Sequence, residues 1–321
     1  MGHKKTYPVV VLMGPTASGK SALGLVIAKA LDGVILNADA MQCYRDIQIV
    51  TARPSTEEMQ DVEHRLYGLW QAHEHGNAAL WAEQAAKEIR AVWQAGKLPI
   101  LLGGTGMYIR TLMDGISPIP PVPEEVKQRV EQWMQQGSEK AYGRLKLRDA
   151  ATAEKLAPND SQRIQRALEV VEATDTPLSV WQKEAGEPFV PEAEYHLYYC
   201  DIARETLYER INARFEQMVE KGAIDEVQML QRQALSDGLP VMRAIGVAEL
   251  MAYLRDELSL QEAVALAQQN SRRYAKRQLT WIRNQLPEAL PVSYALTENV
   301  DECGEWLKSL AKAIDRPLAK Q

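Results

Sequence analysis

Cysteine is scarce in this chain and follows no known pattern. Three cysteines occur in 321 residues, Cys43, Cys200 and Cys303, far apart and odd in number. No CxxC pair or Cys/His metal spacing is present. That argues against a disulfide framework or a zinc knuckle and predicts free thiols in a reducing, cytoplasmic setting. No apolar run approaches the roughly 18 residues that a membrane-spanning helix needs. The opening residues Met1-Gly2-His3-Lys4-Lys5 lead directly into a strand-like run, without the apolar segment and small-residue cleavage site of an export signal. No internal repeat or low-complexity segment stands out. The formal net charge of -6 argues mildly against a nucleic-acid partner, unless basic residues are clustered.

What is present reads as an ordinary globular composition, 46% hydrophobic and 25% charged, in a chain long enough for a large α/β unit and a smaller satellite. Tyr7 to Met13 (YPVVVLM) is a short, wholly apolar, β-branched run, as expected of a strand buried on both faces of a parallel sheet. Ser21 to Leu31 carries helical periodicity, and Gly33 to Asn37 predicts a second strand. Helical Ala79 to Gln94 precedes a third strand at Leu98 to Leu102. Strands alternating with helices predict an α/β fold with a parallel sheet.

Asp114 to Pro123 (DGISPIPPVP) then breaks the pattern with four prolines and a glycine. Glu124 to about Ala185 is helical and charge-rich. Gly186 to Pro191 makes a second break, and Tyr195 to Ile202 is again strand-like. The expected organisation is a first part of the core over 1–120, a helical insertion over 121–192, and a return to the core with C-terminal helices over 193–321. Glu205 to Glu220 predicts one of those helices, with Leu207, Ile211, Phe215 and Met218 on one stripe. Asp256 to Arg283 predicts one or two more.

The most specific local signal is Gly14-Pro15-Thr16-Ala17-Ser18-Gly19-Lys20-Ser21, a full G-x-x-x-x-G-K-[ST] match with an apolar strand before it and a helix after it. Glycines let successive backbone N–H groups turn toward an anion. The helix N-terminus adds its dipole and free donors. Lys20 supplies a point charge, and the Ser21 hydroxyl is placed to ligate Mg²⁺. Such a P-loop fits ATP binding, nucleotide binding in general, or any diphosphate. Two further absences narrow the field. No Asn-Lys pair exists, so the base-reading motif of GTPases is missing. The candidate Walker B strand ends Leu101-Leu102-Gly103-Gly104-Thr105-Gly106 without an acid, which is unusual for an ATP-driven motor.

An acid follows the second strand instead, in Asn37-Ala38-Asp39-Ala40-Met41-Gln42. Ligands in open α/β sheets bind outside the strand C-termini, so Asp39 is expected in the same crevice as the P-loop. It suits holding Mg²⁺ through water or accepting a proton from a nucleophile. A turn or cap aspartate is the plainer alternative. Thr105 sits in the analogous turn after the third strand, where a ligand contact and a simple tight turn fit equally.

The basic residues are clustered. Gln268 to Pro287 (QQNSRRYAKRQLTWIRNQLP) holds Arg272, Arg273, Lys276, Arg277 and Arg283 without an acid. Arg273, Lys276 and Arg277 share a helical face, and Tyr274 and Trp281 interleave, which suits phosphates and base stacking. In a helix opening at Ser161, Ile164, Ala167, Leu168 and Val171 form the apolar stripe, while Arg163 and Arg166 lie off it. Arg214 lies beside the buried stripe of its helix, as a diphosphate clamp or a surface ion pair.

GPTASGKS, ADAMQCYRDIQIVTARP, PILLGGTGMYIRTLMDG, NDSQRIQRALEV and AKRQLTWIRN, in that order over about residues 8 to 284, resemble the bacterial tRNA dimethylallyltransferase (tRNA isopentenyltransferase) family. The resemblance implies a P-loop NTPase-like core with a smaller helical insertion. It also implies transfer of a five-carbon group from dimethylallyl diphosphate to N6 of adenosine 37 in the tRNA anticodon loop. On that basis Lys20, Ser21 and Mg²⁺ bind the diphosphate, with Arg214 as a further clamp, and Asp39 takes the N6 proton. Thr105 and Gln42 help hold the adenosine. Asp39, Ala40, Met41 and Gln42, together with Arg163, Ile164, Gln165, Arg166 and Ala167, line the tRNA site, and Lys127 touches tRNA. A monomer with no membrane partner is expected.

The sequence departs from the family pattern in places. Ala40 stands where Ser is common, Val50 and Arg53 replace Gly and Lys of G-T-A-K-P, and Gly246-Val247-Ala248-Glu249 differs from G-Y-K/R-E. No C-terminal zinc finger is seen. The competing functional readings are a P-loop kinase of small metabolites and a non-catalytic, nucleotide-dependent RNA-binding protein. The first leaves the acid-free basic segment idle, the second Asp39.

Overall fold

The computed structural model describes residues 6–184, 186–297 and 300–319. The Met1–Lys5 opening, the Ala185 end of the expected helical stretch and the last two residues of the expected core return lie outside them. The chain divides into two compact units, one formed by residues up to Met113 and from Phe189 onward, the other by Asp114–Pro188.

The larger unit is built on six parallel strands, β1 Tyr7–Met13, β2 Gly33–Asn37, β3 His64–Arg65, β4 Leu98–Gly103, β5 Ala193–Asp201 and β6 Leu290–Ser293, in the order β3-β2-β4-β1-β5-β6. β3 and β6 are too short to have been anticipated. Period-two alternation divides the central strands between two cores. Val9, Val11, Met13, Val34, Leu36 and Leu101 pack on one face, against Trp81, Ile89 and Leu250. Val10, Leu12, Ile35, Ile100 and Leu102 pack on the other, against Leu23, Ile27 and Leu31. Burial on both faces explains the continuous apolar runs.

Because every strand runs the same way, β1, β2 and β4 all end at one edge of the sheet. They deliver the 14–21 loop, Asp39 and Thr105 to that edge. Two long helices flank it. Arg204–Glu220 buries Leu207, Ile211 and Phe215. Leu260–Gln285 is one continuous 26-residue helix, opened by a Ser259/Glu262 capping box.

The smaller unit is helical, with Glu124–Gln135, Ser138–Arg148, Ala150–Ala153, Ser161–Thr174 and Leu178–Trp181 around a core of Val126, Val130, Leu145, Ile164, Ala167 and Leu168. Its two ends run side by side. A Cβ on Gly115 would come within 2.3 Å of the Glu187 carbonyl oxygen, so only glycine allows that approach. Asp149 caps from within, accepting from Thr152 N at 3.0 Å and Ser179 Oγ at 2.6 Å.

Candidate active site

The 14–21 loop turns sharply between β1 and the Lys20–Leu31 helix. Gly19 is left-handed at φ 86° and precedes the helix. Ala17 is also left-handed, at φ 62°. A non-glycine residue persists in that region only where its surroundings over-determine it. Here the Arg210 guanidinium grips the Ala17 carbonyl, Nε donating at 2.8 Å. The amides of Lys20, Ser21 and Ala22 precede the first helical hydrogen bond, from Leu23 N to Gly19 O, and so face an incoming anion. Lys20 Nζ donates to Pro15 O at 3.2 Å. Burial holds the Lys20 ammonium well below its ordinary pKa, Asp39 pulls it back up, and nearby Arg214 lowers it further. Lys20, Arg210 and Arg214 thus share the loop with one carboxylate. The Cys200 thiol beneath the loop is pushed up to about 11 by burial, partly offset by Lys20.

Asp39 is held from below by Asn37, a fully buried side chain. Asn37 Oδ1 accepts from Asp39 N at 3.0 Å, and its Nδ2 donates to Asp39 O at 3.0 Å and Leu66 O at 3.2 Å. One Asp39 carboxylate oxygen accepts from Met41 N at 3.1 Å, so the turn role weighed from sequence is real. The carboxylate nevertheless lines a cavity beside the loop. Thr105 Oγ1 accepts from Ala40 N at 2.9 Å, and Thr105 N donates to Ala38 O at 3.2 Å. The β2 and β4 turns are thereby fastened together. Gly103 explains the missing Walker B acid, since a Cβ there would lie 2.2 Å from the Ala38 carbonyl. Gln42 turns the other way, its Nε2 donating to Thr51 O and Ala52 O at 3.1 Å each.

The two long helices supply the rest. Arg214 is no surface ion pair. Its Nη1 donates to Thr16 Oγ1 at 3.2 Å and its Nη2 to Ala52 O at 3.4 Å. Burial depresses its pKa and Asp39 restores part of it. Gln278, buried on the other helix, donates to Gly104 O at 2.9 Å and accepts from Thr16 N at 3.4 Å, bridging the P-loop to the β4 turn. Tyr274, one turn earlier, has its phenol pushed up by burial and by Asp39, with hydrogen bonds to Thr105 and Gln278 opposing. Thr16, Asp39, Arg214 and Tyr274 border the cavity, about 300 Å³ in volume, whose other wall is apolar, with Val50, Ile211, Phe215, Met218 and Ile245.

Sequence reasoning missed Arg210, Gln278 and the inward role of Tyr274. The buried stripe of the Leu260–Gln285 helix is otherwise Ala263, Ala267, Ala275 and Ile282. A Gln and a Tyr on an alanine stripe are the signal that was there to read. Arg273, Lys276 and Arg277 are exposed, and Arg277 also borders the cavity, its guanidinium 5.6 Å from the Tyr274 ring centre. Trp281 is not free to stack on a base, because it presses on Gly106, where a Cβ would meet its ring at 2.0 Å.

In the smaller unit Arg163, Arg166 and Lys127 have side chains 74%, 50% and 48% exposed, near Asp160, Glu169 and Glu124 respectively. Gln165 donates to Glu169 at 2.9 Å. Ile164 and Ala167 are fully buried in the core of this unit, on the apolar stripe read from the sequence, which corrects the implication of the resemblance that they line the tRNA site with 163–167. Helical geometry puts them on the apolar stripe between the arginines.

A family model described as IPP transferase matches residues 42–285. The tRNA dimethylallyltransferase of Azorhizobium caulinodans is 47% identical over 280 residues, 87% of this chain and 90% of that one. The enzyme of the same name from Granulibacter bethesdensis is 45% identical over 297 residues, 92% of this chain and 93% of its own. Among solved structures, the full-length tRNA isopentenylpyrophosphate transferase of Bacillus halodurans superposes with a TM-score of 0.70 at 31% identity, covering 97% of both chains. A eukaryotic dimethylallyltransferase described as acting on tRNA shares the fold, with a TM-score of 0.79 at 24% identity over 98% of this chain and 82% of that one.

Proposed function

Because the chain belongs to the IPP transferase family, we propose that it moves the dimethylallyl group of dimethylallyl diphosphate onto N6 of adenosine 37 in tRNA. The observation that carries this reading is the cavity in which Asp39 and Arg214 meet an apolar wall beside the P-loop. A kinase of small polar metabolites would need polar partners for its acceptor where this cavity has an apolar wall. A prenyl donor needs a charged end and a greasy end side by side.

In this reading residues 14–21 cradle the diphosphate, and Lys20 and Arg214 face its oxygens. As the allylic C–O bond breaks, its electron pair leaves with the diphosphate, and the two cations stabilise the charge that develops there. The N6 lone pair forms the new C–N bond, and Asp39 accepts the proton that N6 loses. Thr105 and the Ala40-Met41-Gln42 turn hold the adenosine, which leaves its stack to reach the cavity. The apolar wall excludes water from the allylic cation.

Among the described residues no group of three or more His, Cys, Asp or Glu side chains is arranged to cage a metal. That suits Mg²⁺ as a diphosphate partner, since Mg²⁺ usually takes only one or two protein oxygens beside substrate phosphates and water. The Ser21 hydroxyl would hold it directly and the Asp39 carboxylate through water, and it would neutralise charge on the leaving group.

Exposed Arg273, Lys276 and Arg277 are the phosphate contacts on the larger unit, and Lys127, Arg163 and Arg166, with Gln165, those on the smaller. Three free, buried cysteines accord with a cytoplasmic enzyme. No helix among the described residues is long and apolar enough to cross a membrane. The enzyme acts as a monomer in this reading.

The test is direct. The protein is incubated with unmodified tRNA and labelled dimethylallyl diphosphate, and label is sought at the anticodon loop. Label at adenosine 37 is expected. Transfer of phosphate from ATP to a small acceptor, with no label in tRNA, would overturn the reading in favour of a kinase.

A further inference from the structure

Glu226 is an acidic residue held away from solvent and takes no part in the proposed chemistry. It lies in the first turn of the Ala223–Gln231 helix and is 8% exposed. Three successive backbone amides converge on its carboxylate. Oε1 accepts from Gln48 N at 2.6 Å and Ile49 N at 2.8 Å, and Oε2 accepts from Val50 N at 2.8 Å. The segment therefore forms an anion nest around a side chain of its own protein. Charge-assisted bonds of that kind are among the stronger ones in proteins, and a buried carboxylate persists only when so satisfied.

The nest is tied to the site through the turn next to it. The chain doubles back at once, with Ala52 N on Ile49 O and Arg53 N on Gln48 O, each at 2.9 Å. Ala52 sits at φ 49°, the left-handed region that disfavours a Cβ. The strained carbonyl of Ala52 is the shared acceptor of Gln42 Nε2 at 3.1 Å and, from the proposed site, Arg214 Nη2 at 3.4 Å. Val50, whose own amide is held by Glu226, lines the cavity, and a Cβ on Gly246 would come within 2.5 Å of it. One buried carboxylate thus sets the backbone that aims the Arg214 guanidinium and places part of the apolar wall.

We propose that Glu226 is a positioning residue. By pinning the amides of residues 48–50 it holds the Ala52 carbonyl where Arg214 needs it, and so sets the affinity of the site for the diphosphate end of its substrate. This rests on the reading that Arg214 holds the diphosphate.

The test compares Glu226→Gln, Arg214→Ala, the double variant, and Val227→Ala. The last truncates a buried neighbour of Glu226 that faces the core. Glutamine keeps the volume and one acceptor oxygen but turns an NH2 group toward amide donors. Binding of inorganic pyrophosphate with magnesium is measured by calorimetry, and steady-state constants with tRNA and dimethylallyl diphosphate. Glu226→Gln is expected to weaken pyrophosphate about tenfold, the order of one misaligned charge-assisted bond. It should raise KM for dimethylallyl diphosphate by a similar factor, with a smaller change in kcat. Val227→Ala should lower thermal stability and leave pyrophosphate affinity unchanged. The double variant should bind no worse than Arg214→Ala alone, because Glu226 acts through Arg214. Wild-type affinity in Glu226→Gln beside weakened binding in Arg214→Ala overturns the role of Glu226 alone. Equal losses in Glu226→Gln and Val227→Ala, or additive losses in the double variant, do the same. Wild-type affinity in Arg214→Ala overturns the diphosphate reading of Arg214 and the inference with it.

Discussion

Asn37 offers the sharpest test of how the site is held. Its side chain is fully buried at the end of β2 and makes both bonds that clamp Asp39, to the Asp39 amide and carbonyl at 3.0 Å each, plus one to Leu66 O at 3.2 Å. Asn37→Leu keeps the volume nearly constant, so no cavity term enters. It deletes the polar atoms only. The Cys43 thiol lies 3.4 Å from Asp39 O and 3.6 Å from Leu66 O, so it can serve one of the two carbonyls, and weakly. One carbonyl and the Asp39 amide then lose their partner. At about 1–3 kcal/mol for each buried polar group left unmade, discounted for the part-buried amide, the loss should be ~2–4 kcal/mol. Urea unfolding followed by circular dichroism measures it as a shift in midpoint at constant slope. Turnover should fall at temperatures where the variant remains folded, because the Asp39 backbone has lost its clamp. A loss below about 1 kcal/mol with undiminished turnover would refute the claim that Asn37 aims Asp39.

The same geometry makes three further outcomes testable. Asp39→Asn, which retains an acceptor for Met41 N, should lower kcat by ~10²–10⁴ and leave tRNA affinity within a few-fold, as single-turnover and filter-binding assays would report. Lys20 has a folded-state pKa below its unfolded value, so the unfolded chain holds the proton more tightly. The resulting penalty is full below the depressed folded-state pKa and is relieved as pH rises from there toward the ordinary 10.5. Lys20→Met should therefore gain stability relative to wild type below that depressed pKa, and the gain should shrink as pH rises toward 10.5, while the thermal shift given by pyrophosphate disappears. Arg273→Ala with Lys276→Ala should reduce the slope of log affinity for tRNA against log salt by roughly 1–2, without altering pyrophosphate binding.

The sheet was legible because its central strands are buried on both faces. Val9 to Met13, Val34 to Leu36 and Leu98 to Leu102 have no polar residue to confuse the pattern. β3 and β6 escaped notice for the opposite reason. His64–Arg65 is two residues long, and Leu290–Ser293 opens on an exposed leucine and proline, so neither alternates over enough length to register. The 26-residue helix reads as one or two in sequence because its middle, Gln268 to Arg273, is polar. Its continuity comes from Asn270 bonding to buried Glu249 and Gln268 to Asn212, which no local pattern reports.

The site was legible where one backbone segment builds it and obscure where distant segments meet. Residues 14–21 form their cradle from their own turn, so the motif carried most of the information. The companion acid is another matter. A Walker B carboxylate belongs at the end of β4, yet Gly103 there lies so close to the Ala38 carbonyl that a side chain cannot be accommodated. That same approach lets Thr105 reach Ala40 and Asp39 stand over the cavity from β2. The acid has in effect moved one strand across the sheet. Its charge acts on Lys20 and Arg214. A carboxylate so placed, beside an apolar wall, suits removing a proton from an acceptor amine while the phosphates depart as a leaving group. The exchange of strands is visible only when β2 and β4 are seen side by side, which is why residues 101–106 alone registered it as an absence.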